Sequence, residues 1–270
     1  MELMRHVTLG QYVERTSPVH RLDPRVKLLG LVWVMALTFR MVSGPGFALL
    51  AVGLVLLAAV SQIGLVWYLG GLRSVVWLAL LTAVFNLFFT SEGHPLWRWH
   101  VLVVTDVGLH GTGLILARIL TLVMATSLLT LTTAPLALTD GLERLGTPLS
   151  RLGLPIHEIA LMVSIALRFI PTLMEQAERL MKAQMARGAD LESPNPVRRV
   201  QALVPILVPL FVAAFRAADD LADAMESRGY RGGPRARAFR QLQWKLGDTL
   251  AGLMLSGVSV GLLALDGIMR

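Results

Sequence analysis

The chain contains apolar runs too long for the interior of a soluble domain, and they fix its fold class before any single residue is considered. Phe47–Leu69 carries no charged side chain. A hydrocarbon core about 30 Å thick is crossed by roughly 20 apolar residues in helical form. Five runs approach that length: Val26–Val42, Phe47–Leu69, Val75–Phe89, Gly113–Leu138 and Leu246–Met269. The first and third are short, so flanking side chains are expected to reach the interface. Gly44-Pro45-Gly46 is expected to part the first from the second, and Gly70-Gly71 the second from the third. Composition agrees: 54% of residues are hydrophobic and only 16% charged, where a soluble domain is nearer one quarter charged. The fold class is an all-α integral membrane protein with about five transmembrane helices.

The remaining residues set orientation. Arg5, Arg15, Arg21 and Arg25 precede the first run, with no short apolar core and cleavage site before them. That run is therefore expected to be retained as a span. Two further runs are too short or too polar to read as spans. Ile156–Leu173 includes His157, Glu158 and Arg168 and reaches Pro171, while Leu203–Phe215 holds Pro205 and Pro209 and suits a buried or re-entrant helix. With the N-terminus in the cytoplasm, most Lys and Arg residues fall inside, and the outer loop Thr90–Thr112 keeps only Arg98. That is the positive-inside pattern. Three regions follow: 1–138 with four spans, 139–245 as a polar segment on the cytoplasmic side, and 246–270 as the last span. Arg118 lies early in the fourth span. Its options are to snorkel outward, or to pair with Asp106 or a neighbouring helix.

The polar segment repeats a signature. Ala183-Gln184-Met185-Ala186-Arg187-Gly188 and Ala224-Met225-Glu226-Ser227-Arg228-Gly229 both read Ala-x-x-small-Arg-Gly. Each is expected to close an amphipathic helix, the first from about Pro171 and the second from about Phe211. Glu175–Arg179 and Glu178–Lys182 are i,i+4 pairs with the acid first, the favourable order. Ser193-Pro194-Asn195-Pro196 forces a turn between the helices. Two explanations fit the Arg-Gly pairs. Glycine past a helix end suits a left-handed cap, and arginine in the last turn suits the helix dipole. Equally, a planar guanidinium presented at a helix end suits bidentate docking to a carboxylate, which lysine would not reproduce. Asp23-Pro24 has the form of an N-cap followed by proline at the first helical position.

Three stretches together carry a family resemblance. Val19-His20-Arg21-Leu22-Asp23-Pro24-Arg25-Val26-Lys27-Leu28-Leu29 resembles the N-terminal signature of the energy-coupling factor transporter T component. Ala166–Leu173, followed by Met181–Asp190, is similar to its first coupling signature. Phe215–Leu221, continuing through Glu226–Gly232, is similar to its second. The resemblance covers essentially the whole chain. It implies a membrane scaffold, in a bacterial or archaeal cell membrane, whose cytoplasmic-side coupling helices engage two ATP-binding-cassette ATPases. A separate membrane S component would bind the cargo, a vitamin or a metal ion. By position, ATPase docking carries over to Ala186, Arg187 and Gly188, and to Ser227, Arg228 and Gly229, with Asp23, Pro24, Arg168 and Pro171 as structural support. The second signature departs from the family in having Ser227 where alanine is usual. A dedicated cobalt or nickel importer subunit is the alternative within the family.

Catalysis has no visible constellation. No Gly-x-x-x-x-Gly-Lys-Ser/Thr loop occurs, so ATP and magnesium are expected on partner chains. His157-Glu158 is not followed by a second histidine at zinc-binding spacing, and no Gly-x-Ser-x-Gly elbow is present. The irregular spacing of His94, His100 and His110 argues against a metal site. With no cysteine, disulfides and thiol chemistry are excluded. A net charge of +7 is modest for nucleic-acid binding, and none is expected. A stand-alone membrane enzyme or solute carrier remains as a reading from another class.

Overall fold

The computed structural model describes residues 12–13, 15–89, 94–99, 102–189, 191, 193, 195–232 and 246–268. Its helices are α1 (Pro24–Arg40), α2 (Gly44–Val60), α3 (Leu65–Phe89), α4 (Asp106–Thr132), α5 (Pro135–Gly146), α6 (Ile156–Ala186), α7 (Pro196–Ser227) and α8 (Leu246–Ile268). A short 3-10 turn, Thr147–Leu152, joins α5 to α6. Among the described residues the fold is all-α apart from a small antiparallel hairpin, β1 (Pro95–Trp99) with β2 (Leu102–Thr105). Two compact units are formed: Met1–Arg144 with Leu242–Arg270, and Leu145–Gln241.

In the first unit α4 packs along α1, α2 and α3, and α8 packs on α1 and α2. Apolar side chains meet there, among them Leu37, Met41, Phe47, Leu54, Tyr68 and Leu131, all buried. Outward-facing residues are also apolar: Trp77, Leu78 and Phe89 of α3 are each exposed. That inside-out pattern is what a lipid-facing bundle requires, since every backbone polar group must be satisfied within the helices. The Tyr68 hydroxyl donates to the Met124 carbonyl at 3.1 Å, so its polar tip is satisfied within this core.

The helix boundaries correct the sequence expectation at several points. The chain does not break at Gly70-Gly71; α3 runs through both. The break falls earlier, at Ser61-Gln62, where Gln62 has φ 58°. Ser61 makes this exit workable, its hydroxyl donating to the Ala58 carbonyl at 2.7 Å. Two glycines inside a helix cost about 1 kcal/mol each relative to alanine, less than leaving a helix end unsatisfied in hydrocarbon. The fourth span begins earlier than expected, at Asp106, and ends at Thr132. Helices α6 and α7 are continuous over 31 and 32 residues, with Pro171 inside the first and Pro205 and Pro209 inside the second. Leu203–Phe215 is therefore the middle of a long helix, with Leu207, Phe211 and Phe215 exposed, and not a short buried segment. By length and composition α4, α6, α7 and α8 could each cross a membrane. At 17 residues, α1 and α2 are shorter. They would span only about 25 Å at 1.5 Å per residue.

Buried charges fasten the ends of α1. Asp248, in the first turn of α8, accepts from the Asp23 N–H at 2.8 Å. Asp266, in the last turn of α8, accepts from the N–H groups of Val42 and Ser43 at 3.2 and 2.8 Å. The two aspartates are about five turns apart at 3.6 residues per turn, hence on one face of α8. Helices α1 and α8 thus run parallel, clasped at both ends. Between the clasps, the Trp33 indole N–H donates to Ser259 Oγ at 2.8 Å.

Cations take the carbonyl side. Lys27 Nζ donates to the Thr132 carbonyl at 2.9 Å and to Thr133 Oγ1 at 3.3 Å. Arg118 Nη2 donates to the Met41 carbonyl at 3.3 Å, and its guanidinium lies 5.7 Å from the Phe39 ring centroid. Of the three options for Arg118, the neighbouring helix is the one realised. Before α1, His20 is held by Ser17 Oγ at 2.7 Å and by the Val13 carbonyl at 3.1 Å. Burial, with help from the Lys27 ammonium, lowers its pKa from the ordinary value.

Helix α5 belongs with the first unit. A Cβ on Gly141 would lie 3.1 Å from atoms of both Pro24 and Leu28. Thr139–Arg144, grouped with the polar segment by sequence, are therefore part of the membrane-side body.

Removing the Asp266 carboxylate leaves two backbone donors without their charged acceptor. Asp266→Ala is expected to lower stability in detergent by about 2–3 kcal/mol. Asp266→Asn, which keeps an acceptor oxygen, should lose less. Thermal unfolding of the three proteins checks the order.

Candidate functional site

The second unit consists of the α6–α7 pair with the 3-10 turn ahead of it. Both helices carry an apolar stripe and a polar face. The expected Glu178–Lys182 and Glu175–Arg179 pairs are formed on α6, at 2.7 and 3.8 Å. Both are well exposed and contribute at most a few tenths of a kcal/mol. On α7 the exposed face presents Arg216, Asp219, Asp220, Asp223 and Glu226.

The two helices end in the same way, bond for bond. At the end of α6, the Gly188 N–H donates to the Met185 carbonyl at 2.9 Å and the Ala189 N–H to the Gln184 carbonyl at 3.0 Å. At the end of α7, the Gly229 N–H donates to the Glu226 carbonyl at 2.8 Å and the Tyr230 N–H to the Met225 carbonyl at 3.0 Å. This double closure is the Schellman motif, and it needs a left-handed residue at the position after the cap. Gly188 and Gly229 supply it, with φ of +86° and +77°. Arg187 and Arg228 are the matched cap residues, with φ/ψ of −88°/5° and −86°/6°.

The cap therefore consumes backbone groups and the two glycines, and leaves the arginine side chains over. Both arginines are exposed. Among the described residues neither guanidinium has an ion pair or hydrogen bond. Among the described residues, each glycine's own chain neighbours aside, no atom lies within 4 Å of where a Cβ would stand on Gly188 or Gly229. Each helix end thus presents an exposed planar cation beside a glycine. A carboxylate on another surface could approach it with both oxygens. The unusual Ser227 does not disturb this arrangement, because its hydroxyl turns back to the Ala224 carbonyl at 3.0 Å. That is the ordinary local bond of a serine in a helix. Ala186, its counterpart on α6, is likewise exposed.

The other residues singled out by sequence have different settings. Arg168 is exposed on α6. Pro171 lies inside α6 and not at its start. Having no N–H, it leaves the Leu167 carbonyl without the usual helical donor. Asp23 and Pro24 stand in the first unit, at the start of α1. Asp23 Oδ1 accepts from the Arg25 N–H at 2.9 Å there, with Pro24 in the first turn. Sequence reasoning passed over Lys27, Gly141, Asp248 and Asp266. The signal for three of them was present: an ionisable residue inside an apolar run is expensive and marks a specific contact.

Among the described residues no group of His, Asp or Glu could hold a metal ion. His94 and Asp106 bond to each other through the backbone and one carboxylate oxygen, closing the hairpin, while His100 lies outside the described residues. An open groove of about 620 Å³ runs between α6 and α7. Its walls include Gln176, Val208, Val212, Arg216 and Asp220, with no phosphate-cradling loop.

Comparison with known proteins gives a consistent result. The family model for CbiQ, described as cobalt transport protein, matches residues 15–238. A protein of Thermosediminibacter oceani named energy-coupling factor transporter transmembrane protein EcfT is 47% identical over 266 residues, 98% of each chain. Proteins with the same name from Clostridium kluyveri and Streptococcus thermophilus are 46% and 39% identical. They match 93% and 92% of this chain, and 93% and 94% of their own lengths.

Left-handed backbone at the two helix ends makes a specific demand. Gly188→Val and Gly229→Val each introduce a β-branched side chain where φ is positive. Each is expected to cost about 1–2 kcal/mol locally. The effect should be confined to the last turn: hydrogen exchange at the Ala189 or Tyr230 amide speeds up, while membrane insertion and exchange in α4 stay unchanged.

Proposed function

The chain belongs to the CbiQ family, in its energy-coupling factor transmembrane branch, and on that premise we propose that it is the T component of such a transporter. It is a multi-pass membrane protein and does no chemistry of its own. Two separate ATP-binding-cassette chains hold ATP and magnesium and hydrolyse the nucleotide. The N-terminus and the charged ends of α6 and α7 face the cytoplasm of a bacterial or archaeal cell. The apolar halves of those helices lie toward the bilayer, where a substrate-binding membrane subunit carries the vitamin or metal ion. Hydrolysis moves α6 and α7, and that motion reorients the substrate-binding subunit.

The observation that supports this reading is the pair of matching helix ends. A structural cap explains the glycines, but it leaves two exposed guanidiniums unused. Two equivalent, unused cations on one chain suit two homologous partners. Arg187 and Ala186-Gly188 serve one ATPase, and Arg228 with Ser227 and Gly229 serves the other.

Arg187→Ala and Arg228→Ala are each expected to weaken assembly with the ATPases by about 2–5 kcal/mol, the usual cost of removing one member of a buried charged pair. Lysine at either position should rescue only part of the loss, since it cannot make the bidentate contact. Co-purification of the ATPases from membranes reads out the effect. Normal assembly and nucleotide-driven transport by the double alanine variant would overturn the docking assignment.

A further inference from the structure

The first turns of α1 touch the two elements that flank Leu145–Gln241 in the chain, α5 before it and α8 after it. On the α5 side, the Lys27 ammonium binds the last carbonyl of α4, Thr132, and the Thr133 hydroxyl, just before Pro135 begins α5. On the same side stand Pro24 and Leu28, against which Gly141 of α5 is set so closely that a Cβ would be in tight contact. On the α8 side, Asp248, in the first turn of that helix, accepts from the Asp23 N–H. The Asp248 carboxylate also attracts the Lys27 ammonium.

Four residues within six positions, Asp23, Pro24, Lys27 and Leu28, thus touch both connections. The contacts are of the kind that resist displacement. Thr132 and Asp23 offer helix-terminal backbone groups with no partner in their own helix. Each meets a full charge of the complementary sign, the stronger class of hydrogen bond. The close approach of Gly141 to the Pro24 ring and the Leu28 side chain leaves little slack for α5 to slide on α1.

We propose that Lys27, Asp248 and Gly141 form a force-bearing node, in which α1 receives the displacement of the coupling helices and passes it to α4 and α8. These are positioning residues: they act through the helices they tie. The inference rests on the functional reading above, because it needs the α6–α7 unit to be moved by ATP hydrolysis.

The chain has no cysteine, so labels can be placed at will. Spin labels at Leu142→Cys on α5 and Met254→Cys on α8, both exposed positions, report the distance across the node in the assembled complex. The distance is measured with ATP and magnesium and without nucleotide, in the otherwise native chain and in the Lys27→Met and Gly141→Val variants. ATP hydrolysis and co-purification of the ATPases are scored on the same samples. In the native chain the distance is expected to shift with nucleotide. In both variants the shift is expected to vanish while the ATPases stay bound and continue to hydrolyse ATP.

A shift that persists in Lys27→Met and Gly141→Val overturns the node and leaves the functional reading standing. So does the absence of any shift in a native complex that hydrolyses ATP. Loss of assembly in Lys27→Met, repeated in the milder Lys27→Gln and Gly141→Ala, would assign these residues to folding alone and also overturn it. Failure of the native chain to bind ATPases overturns the functional reading, and the node with it.

Discussion

Full charges placed on helix-terminal backbone groups are what the membrane unit depends on. In hydrocarbon a free N–H or C=O costs several kcal/mol, and helix ends have such groups by construction. Here the donors at the start of α1 and at the α1–α2 turn are met by Asp248 and Asp266. The acceptors at the end of α4 and the end of α1 are met by Lys27 and Arg118. Carboxylates sit on N–H groups and cations on carbonyls, the arrangement each helix dipole favours. Because all four contacts involve α1 or the turns flanking it, this short helix becomes the common reference for α4 and α8. Apolar packing then fills the space between them without having to specify register.

The coupling unit is built on the opposite logic. Its polar faces are solvated, its ion pairs are weak, and few of its side chains are buried. What it defines well is its two ends. Schellman closure fixes the direction of the last turn of α6 and α7 through backbone bonds alone, so the arginine side chains need not take part. The cap and docking explanations for Arg-Gly are therefore not rivals. Glycine serves the cap, whose bonds do not use the arginine side chain, and on the proposed reading that side chain remains for a partner.

The all-α membrane class and the glycine-closed ends of α6 and α7 were legible in the sequence because each rests on local chemistry: run length, and a glycine at a left-handed position. Which helices are long enough to cross was not, since α6 and α7 proved longer than their apolar runs. The departures arise where a non-local constraint decides. Gly70-Gly71 looks like a break, yet α3 continues, because a helix in an apolar medium satisfies its own backbone better than a turn does. Ser61-Gln62 makes the actual turn, through a hydroxyl-to-carbonyl bond that no glycine or proline announces. Pro171 reads as a helix limit and is instead interior, while Pro205 and Pro209 read as part of a short buried helix and instead lie within a long one; all three are tolerated because the remaining helical bonds hold. Asp248, Asp266 and Lys27 stood in plain view inside apolar runs. Their partners lie far off in sequence, so their cost was readable but their purpose was not.

On the proposed reading, two capped helix ends meet nucleotide-hydrolysing partners in the cytoplasm. Site-specific cross-linking from the ends themselves, with single cysteines at Ala186 and Ser227 carrying a photoactivated group in native membranes, tests that contact. Each position is predicted to capture an ATP-binding chain, and capture should fall when Arg187 or Arg228 beside it is neutralised. Cross-links confined to lipid or to the chain itself, or labelling of these cysteines only from the extracellular side, would contradict the account.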